Sequence, residues 1–110
     1  MTQDYKSQIM QRLTKHLLDI QLLRTIENEP MWGYKLKKTF ETDLGIKLRH
    51  SALYPALNCL EREGFLTSKN QRHEGRIRKI YAPTAKGKEY LKSYYAILKE
   101  QIKNANNQAQ

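Results

Sequence analysis

A mostly helical α+β fold is predicted for this chain by three observations. Apolar residues recur at helical spacing in long stretches near both ends, a short helical block at 51–63 stops at Gly64, and two β-prone segments rich in arginine lie between 65 and 82. The order is helix, helix, helix, hairpin, helix. That is the order of a winged helix-turn-helix, with a long N-terminal helix and a long C-terminal helix suited to dimerisation. A chain of 110 residues holds one such domain, spanning 1–110, around one core.

The first helix is predicted over 4–28. Asp4 can cap it, and Ile9, Leu13, Leu17, Ile20, Leu23 and Ile26 follow at three- and four-residue steps, with Leu18 and Leu22 widening the stripe. Pro30 cannot continue the helix and biases Glu29 towards extended backbone. A turn through Met31-Trp32-Gly33 leads to a second helix over 34–42, with Leu36 and Phe40 inward and Lys35, Lys37 and Lys38 around the rest.

The third helix, 51–63, is expected to start at a Ser51 cap and to carry Leu53, Leu57 and Leu60 on its inner face. An interior proline costs ~3 kcal/mol, so Pro55 should sit in or just after the first turn. The hairpin, 65–82, is read as strands Phe65 to Lys69 and Ile77 to Ala82 joined by the polar stretch Asn70 to Gly75. The last helix, 84–104, carries Leu91, Tyr94, Tyr95, Leu98 and Ile102 along one face, broadened by Tyr90 and Ile97, before a polar tail.

Charge points to a polyanionic partner. Twenty Lys and Arg against 11 Asp and Glu leave +9, and between Phe65 and Lys88 seven basic residues face one acidic residue, Glu74. Charge that only solubilises would be spread evenly. Cys59 is the single cysteine, which excludes an internal disulfide and fits a reducing compartment; the polar N-terminus and the lack of an apolar run near ~18 residues place the protein in the cytoplasm.

A third helix of this size fits a major groove ~12 Å wide. With the leucines inward, its opposite side presents Ser51, Pro55, Asn58 and Arg62. Asn58 can pair with an adenine edge and Arg62 with guanine or phosphate, while Arg49 and His50 reach phosphates just before the helix. Arg72, Arg76, Arg78 and Lys79 are the expected phosphate contacts of the wing. Arg62 could equally form a surface ion pair with a nearby glutamate.

In these residues the chain resembles the PadR family of winged-helix transcriptional regulators, over about Leu22 to Leu91. Gly33-Tyr34 resembles the family's His-Gly-Tyr segment, and Leu53-Tyr54-Pro55-Ala56-Leu57 with Leu60-Glu61 and Gly64-Phe65-Leu66 resembles its Tyr-Pro-Ala-Leu recognition helix. Gly75-Arg76-Ile77-Arg78-Lys79-Ile80-Tyr81 is similar to its arginine-rich wing, and Thr84-Ala85-Lys86-Gly87 to its Leu-Thr-x-x-Gly segment. The resemblance implies a dimeric repressor of the compact subgroup, binding inverted-repeat operators. It implies that Tyr54 contacts the DNA backbone and that Tyr34 and Lys35 flank the DNA, although the Tyr54 ring could instead pack on the wing. The chain departs from the family at Arg49-His50-Ser51-Ala52, where Ser-Pro-x-Thr is usual, at Trp32 in place of histidine and at Pro83 in place of leucine. Its operator sequence therefore cannot be borrowed.

The outer helices carry wider apolar stripes than one small core needs. Leu91, Tyr94, Tyr95, Leu98 and Ile102 are expected to pack on Ile9, Leu13 and Leu17 of a second subunit, setting two recognition helices ~34 Å apart. Packing within one chain is the alternative. An effector, if one binds, would sit at this aromatic interface. No cofactor or metal is expected and the chain does not read as an enzyme, since His16, His50, His73 and Cys59 have no ligand or nucleophile spacing. Cys59 reads as a small buried hydrophobe. The competing functions are a sequence-independent architectural DNA-binding protein and a winged helix serving protein contacts or an anionic membrane surface.

Overall fold

The computed structural model describes residues 5–108. Its first helical stretch is two helices: α1, Tyr5–His16, and α2, Leu18–Asn28. The single helix expected over 4–28 is broken at Leu17, whose backbone has φ −126° and ψ 42°. Asp19 lies beside the break. Its Oδ1 accepts the amide of the adjacent Ile20 at 2.8 Å, and its Oδ2 accepts the Tyr90 hydroxyl at 3.2 Å. A short polar side chain that captures a local amide competes with the helical ladder and bends it. Neither proline nor glycine marks the spot, so periodicity runs straight through it. The expected Asp4 cap lies outside the described residues.

The second helix of the sequence reading is α3, Gly33–Thr39, continued by a π-helical turn, Phe40–Leu44, and closed by Gly45 at φ 67°. Next comes α4, His50–Arg62. Ser51 is not its cap: Arg49 holds the cap position in extended backbone and makes no side-chain cap hydrogen bond. Pro55 therefore falls in the second turn, where it leaves the Ser51 carbonyl without its helical donor. The helix ends in a paired closure, Gly64 N–H to Glu61 C=O at 3.1 Å and Phe65 N–H to Leu60 C=O at 2.9 Å, with Gly64 left-handed at φ 85°.

Strands β1, Leu66–His73, and β2, Arg76–Pro83, pair antiparallel from Leu66↔Pro83 to His73↔Arg76. The polar link expected over Asn70 to Gly75 is mostly strand. Only Glu74 and Gly75 form the turn, both at positive φ, 50° and 77°, as a two-residue type I′ hairpin requires. Met31 adds a bridge to Tyr81, with N–H to C=O distances of 3.3 and 3.0 Å in the two directions. Helix α5, Ala85–Gln108, runs past the expected end at 104. Thr84 caps it, accepting the Gly87 amide at 3.0 Å while donating to the Gly64 carbonyl at 2.6 Å.

The core joins Leu22, Leu23 and Ile26 of α2, Leu36 and Phe40, Leu53, Leu57 and Leu60 of α4, Leu66 and Tyr81 of the hairpin and Leu91 of α5. Around it the chain is extended, with a radius of gyration of 16.0 Å, against about 13 Å for a compact domain of this length. The excess length belongs to α1 and the distal half of α5, where Ile9 and Ile102 are 56% and 62% exposed. No helix among the described residues is long and apolar enough to cross a membrane.

Candidate nucleic-acid interface

Helix α4 divides as its spacing demands. Leu53, Leu57 and Leu60 are buried, and Ser51, Pro55, Asn58 and Arg62 are exposed together on the other side. Between the two faces Tyr54 is half-buried. Its ring lies 4.3 Å from the His50 ring, centroid to centroid, and its hydroxyl end rests against Gly33 at the start of α3. Gly33 permits this approach: a Cβ there would stand 2.5 Å from the Tyr54 oxygen and 2.8 Å from Cζ. The Tyr54 ring thus packs on α3 and on its own helix, and it shares a cleft with Ile77, Arg78, Lys79 and Tyr81 of the wing.

Two clefts flank that face. The first, about 310 Å³, is lined by Tyr34, Tyr54, Ile77, Arg78 and Lys79 together with Trp32, Gly33 and Tyr81. The second, about 650 Å³, brings Tyr34, Arg49 and His50 together with Lys37, Lys38 and Lys47. Tyr34 belongs to both and joins them into one basic arc across the start of α4. Lys38 Nζ sits 5.3 Å from the Tyr34 ring centre, a cation–π distance.

Lys37, Lys38 and Lys47 were not among the residues expected to meet DNA, although 34, 37 and 38 share one helical face by spacing alone. Lys35 was expected there and lies elsewhere. It pairs with Glu29 at 2.6 Å and lines a different groove, with Pro30, Trp32 and the outer face of the hairpin.

The wing residues also separate. Arg72 and Arg76 are exposed at the distal end of the hairpin, whereas Arg78 lies over the Trp32 ring at 5.2 Å. Lys79 is paired with Glu61 of α4 at 3.2 Å and lies over Tyr81 at 5.7 Å. The Ser68 hydroxyl donates to the same Glu61 carboxylate, and with Lys79 it holds that carboxyl below the usual carboxylate range, against the opposing effect of burial. The stem of the wing is thereby fastened to α4 and its tip is left to reach outward.

Residues 22–93 match the Transcriptional regulator PadR-like family. The chain belongs to that family. Among solved structures it is similar to a PadR-like transcriptional regulator from Bacillus cereus strain ATCC 14579, at 24% identity and TM-score 0.75, covering 90% of this chain and 97% of the other. It is also similar to a PadR family transcriptional regulator from Eggerthella lenta DSM 2243, at 27% identity and TM-score 0.73, covering 97% and 94%. A protein from Streptococcus mutans UA159 matches at 30% identity and TM-score 0.65, covering 81% and 85%. No curated protein matches the chain.

This PadR-like chain is a DNA-binding transcriptional regulator with a winged-helix fold. Its motif glycines have physical reasons. Gly33 admits the Tyr54 ring, and a Cβ at Gly87 would stand 2.2 Å from the Phe65 carbonyl oxygen, so only glycine lets α5 start this close to the end of α4. Of the residues expected at a dimer interface, Leu91 is fully buried in the chain's own core and is unavailable to a partner. Its neighbours on α5 diverge from it along the helix. Tyr94 and Tyr95 are half-buried, Leu98 and Ile102 are exposed, and on α1 Leu13 and Leu17 are half-buried while Ile9 is exposed. Cys59, expected to be buried, is half-buried.

Proposed function

We propose that the protein is a dimeric repressor that binds an inverted-repeat operator in the cytoplasm, with α4 in the major groove and the wing tip on the adjacent backbone. The observation that carries this reading is the uncharged start of the exposed α4 face, Ser51, Pro55 and Asn58, bordered by basic residues on both sides. Such a face can read base edges while its surroundings hold phosphates. Asn58 and Arg62 are the base-reading candidates, and Arg49, His50, Lys37, Lys38, Lys47, Arg72 and Arg76 the phosphate contacts.

A dimer is supported by the exposed apolar residues Ile9, Ile97, Leu98 and Ile102 on helices that extend beyond the core. A two-fold interface would cover them and present two copies of α4 to one side of the duplex. Selection of bound duplexes from a random library tests the proposal. An inverted repeat among the winners supports it, and a collection without shared sequence would turn the reading to an architectural DNA-binding protein.

A further inference from the structure

The structure gives the Trp32 indole specific neighbours. Met31 is bridged to Tyr81 in β2, which sets the following residue beside the outer face of the hairpin. There the Trp32 ring meets His73 of β1 at 4.8 Å between centroids and the Arg78 guanidinium of β2 at 5.2 Å. His73 and Arg78 lie on the two strands that form the wing, towards its tip. Arg78 Nε and Trp32 Nε1 are both enclosed without a hydrogen-bond partner among the described residues, so ring packing rather than hydrogen bonding defines the contact.

The stem of the wing has other fastenings: Ser68 and Lys79 to Glu61, and Tyr81 to Met31. These lie below the level of Gln71↔Arg78, and the side chains of Arg72, His73, Glu74 and Arg76 beyond it are exposed. From Ser68 to the turn is about six residues, or roughly 20 Å of strand. A tilt of about 15° pivoting at the stem would carry the tip roughly 5 Å, more than the reach of a hydrogen bond of about 3 Å.

We propose that Trp32 is a positioning residue for DNA binding. Packed against His73 and Arg78, its ring fixes the angle of the distal hairpin against the body and so places Arg72 and Arg76 on the phosphate backbone. This rests on the DNA-binding reading of the wing. Trp32 itself touches no DNA in this scheme, and Arg78 serves as part of the latch rather than as a phosphate ligand.

The test has a DNA arm and a DNA-free arm. W32A should weaken binding of the selected duplex about tenfold, the worth of one charge-assisted phosphate hydrogen bond, and W32F should restore most of it. In an R72A/R76A background W32A should cost less than about twofold, because the groups it positions are gone. Unchanged affinity of W32A, or its full loss on top of R72A/R76A, overturns the proposal. If W32A does not fold, H73A on the exposed wing replaces it with the same expected pattern, and unchanged affinity again overturns the idea. Trp32 is the only tryptophan, so its fluorescence reads the latch without DNA. H73A and R78A should each alter that emission, and emission unaffected by both refutes the latch even if the unaltered protein binds no duplex. A protein that binds no duplex but shows the emission change would refute the DNA reading alone.

Discussion

Replacing Gly33 by alanine should destabilise the protein only while Tyr54 is present. The backbone at Gly33 is not left-handed, so alanine is sterically acceptable there by itself, and in a helix it gains up to ~1 kcal/mol over glycine. Against that gain, the new Cβ would lie 2.5, 2.8 and 2.9 Å from Oη, Cζ and Cε1 of Tyr54. The hydroxyl oxygen and two ring carbons at such distances require the side chain to move, and overpacking of this kind costs about 1–3 kcal/mol. The net expectation for G33A is a loss of about 1–2 kcal/mol. In a Y54A background the obstacle is gone, and the same change should be neutral or stabilising by up to ~1 kcal/mol. Urea denaturation followed by circular dichroism on the four proteins measures the coupling directly. An equal cost of G33A in both backgrounds would refute the close approach as the reason for glycine. G87A offers the contrast, since its Cβ would meet the Phe65 backbone oxygen at 2.2 Å and no side-chain truncation relieves it. It should cost about 2 kcal/mol or more in every background.

The basic arc should be legible in the salt dependence of duplex binding. K37A/K38A/K47A should lower the slope of log K against log salt by up to about 2.7, while K35A, whose partner is Glu29, should leave it nearly unchanged; equal effects in gel-shift titrations would contradict the placement. L98E/I102E should give a monomer by analytical ultracentrifugation at micromolar concentration, with the thermal transition of the winged-helix core retained, and a persistent dimer would place the interface elsewhere. Glu61 gives a pH prediction. Its folded pKa is lowered, chiefly by the Ser68 hydroxyl, so its contribution to stability is present above the ordinary carboxylate range and is lost as pH falls through the folded value. E61Q should therefore show a shallower loss of thermal stability between roughly pH 5 and pH 3 than the unaltered protein. An identical acid limb would exclude Glu61 as the fastening of the wing stem.

Much of the fold was legible because its signals are local. Leucines at 53, 57 and 60 and the glycine at 64 specify a short helix with a buried face and a left-handed stop. The cluster of arginines between 72 and 78 marked a basic hairpin. The break at Leu17 was not legible, because no proline or glycine marks it and the polar contact beside it joins Asp19 to Tyr90, 71 residues away in the chain. The Ser51 cap failed for a related reason: a favourable residue type near a helix start says nothing about the backbone that tertiary packing imposes there. Of the interface, the exposed face of α4 followed from spacing, and Tyr34 with Lys37 and Lys38 could have followed from it too. Lys35, one residue away, was drawn off by Glu29.

By itself the sequence determined which segments are helix and hairpin, the basic character of the hairpin and family membership, because periodicity, turn residues and charge are properties of neighbours in the chain. Only the tertiary structure decided what each charge does. Arg78 is turned onto Trp32, Lys79 is held by Glu61, and Arg72 and Arg76 remain at the exposed tip, although all four stand within eight residues on one hairpin. The difference is made by side chains contributed from the start of α3 and from α4, which reach the stem of the wing but not its turn.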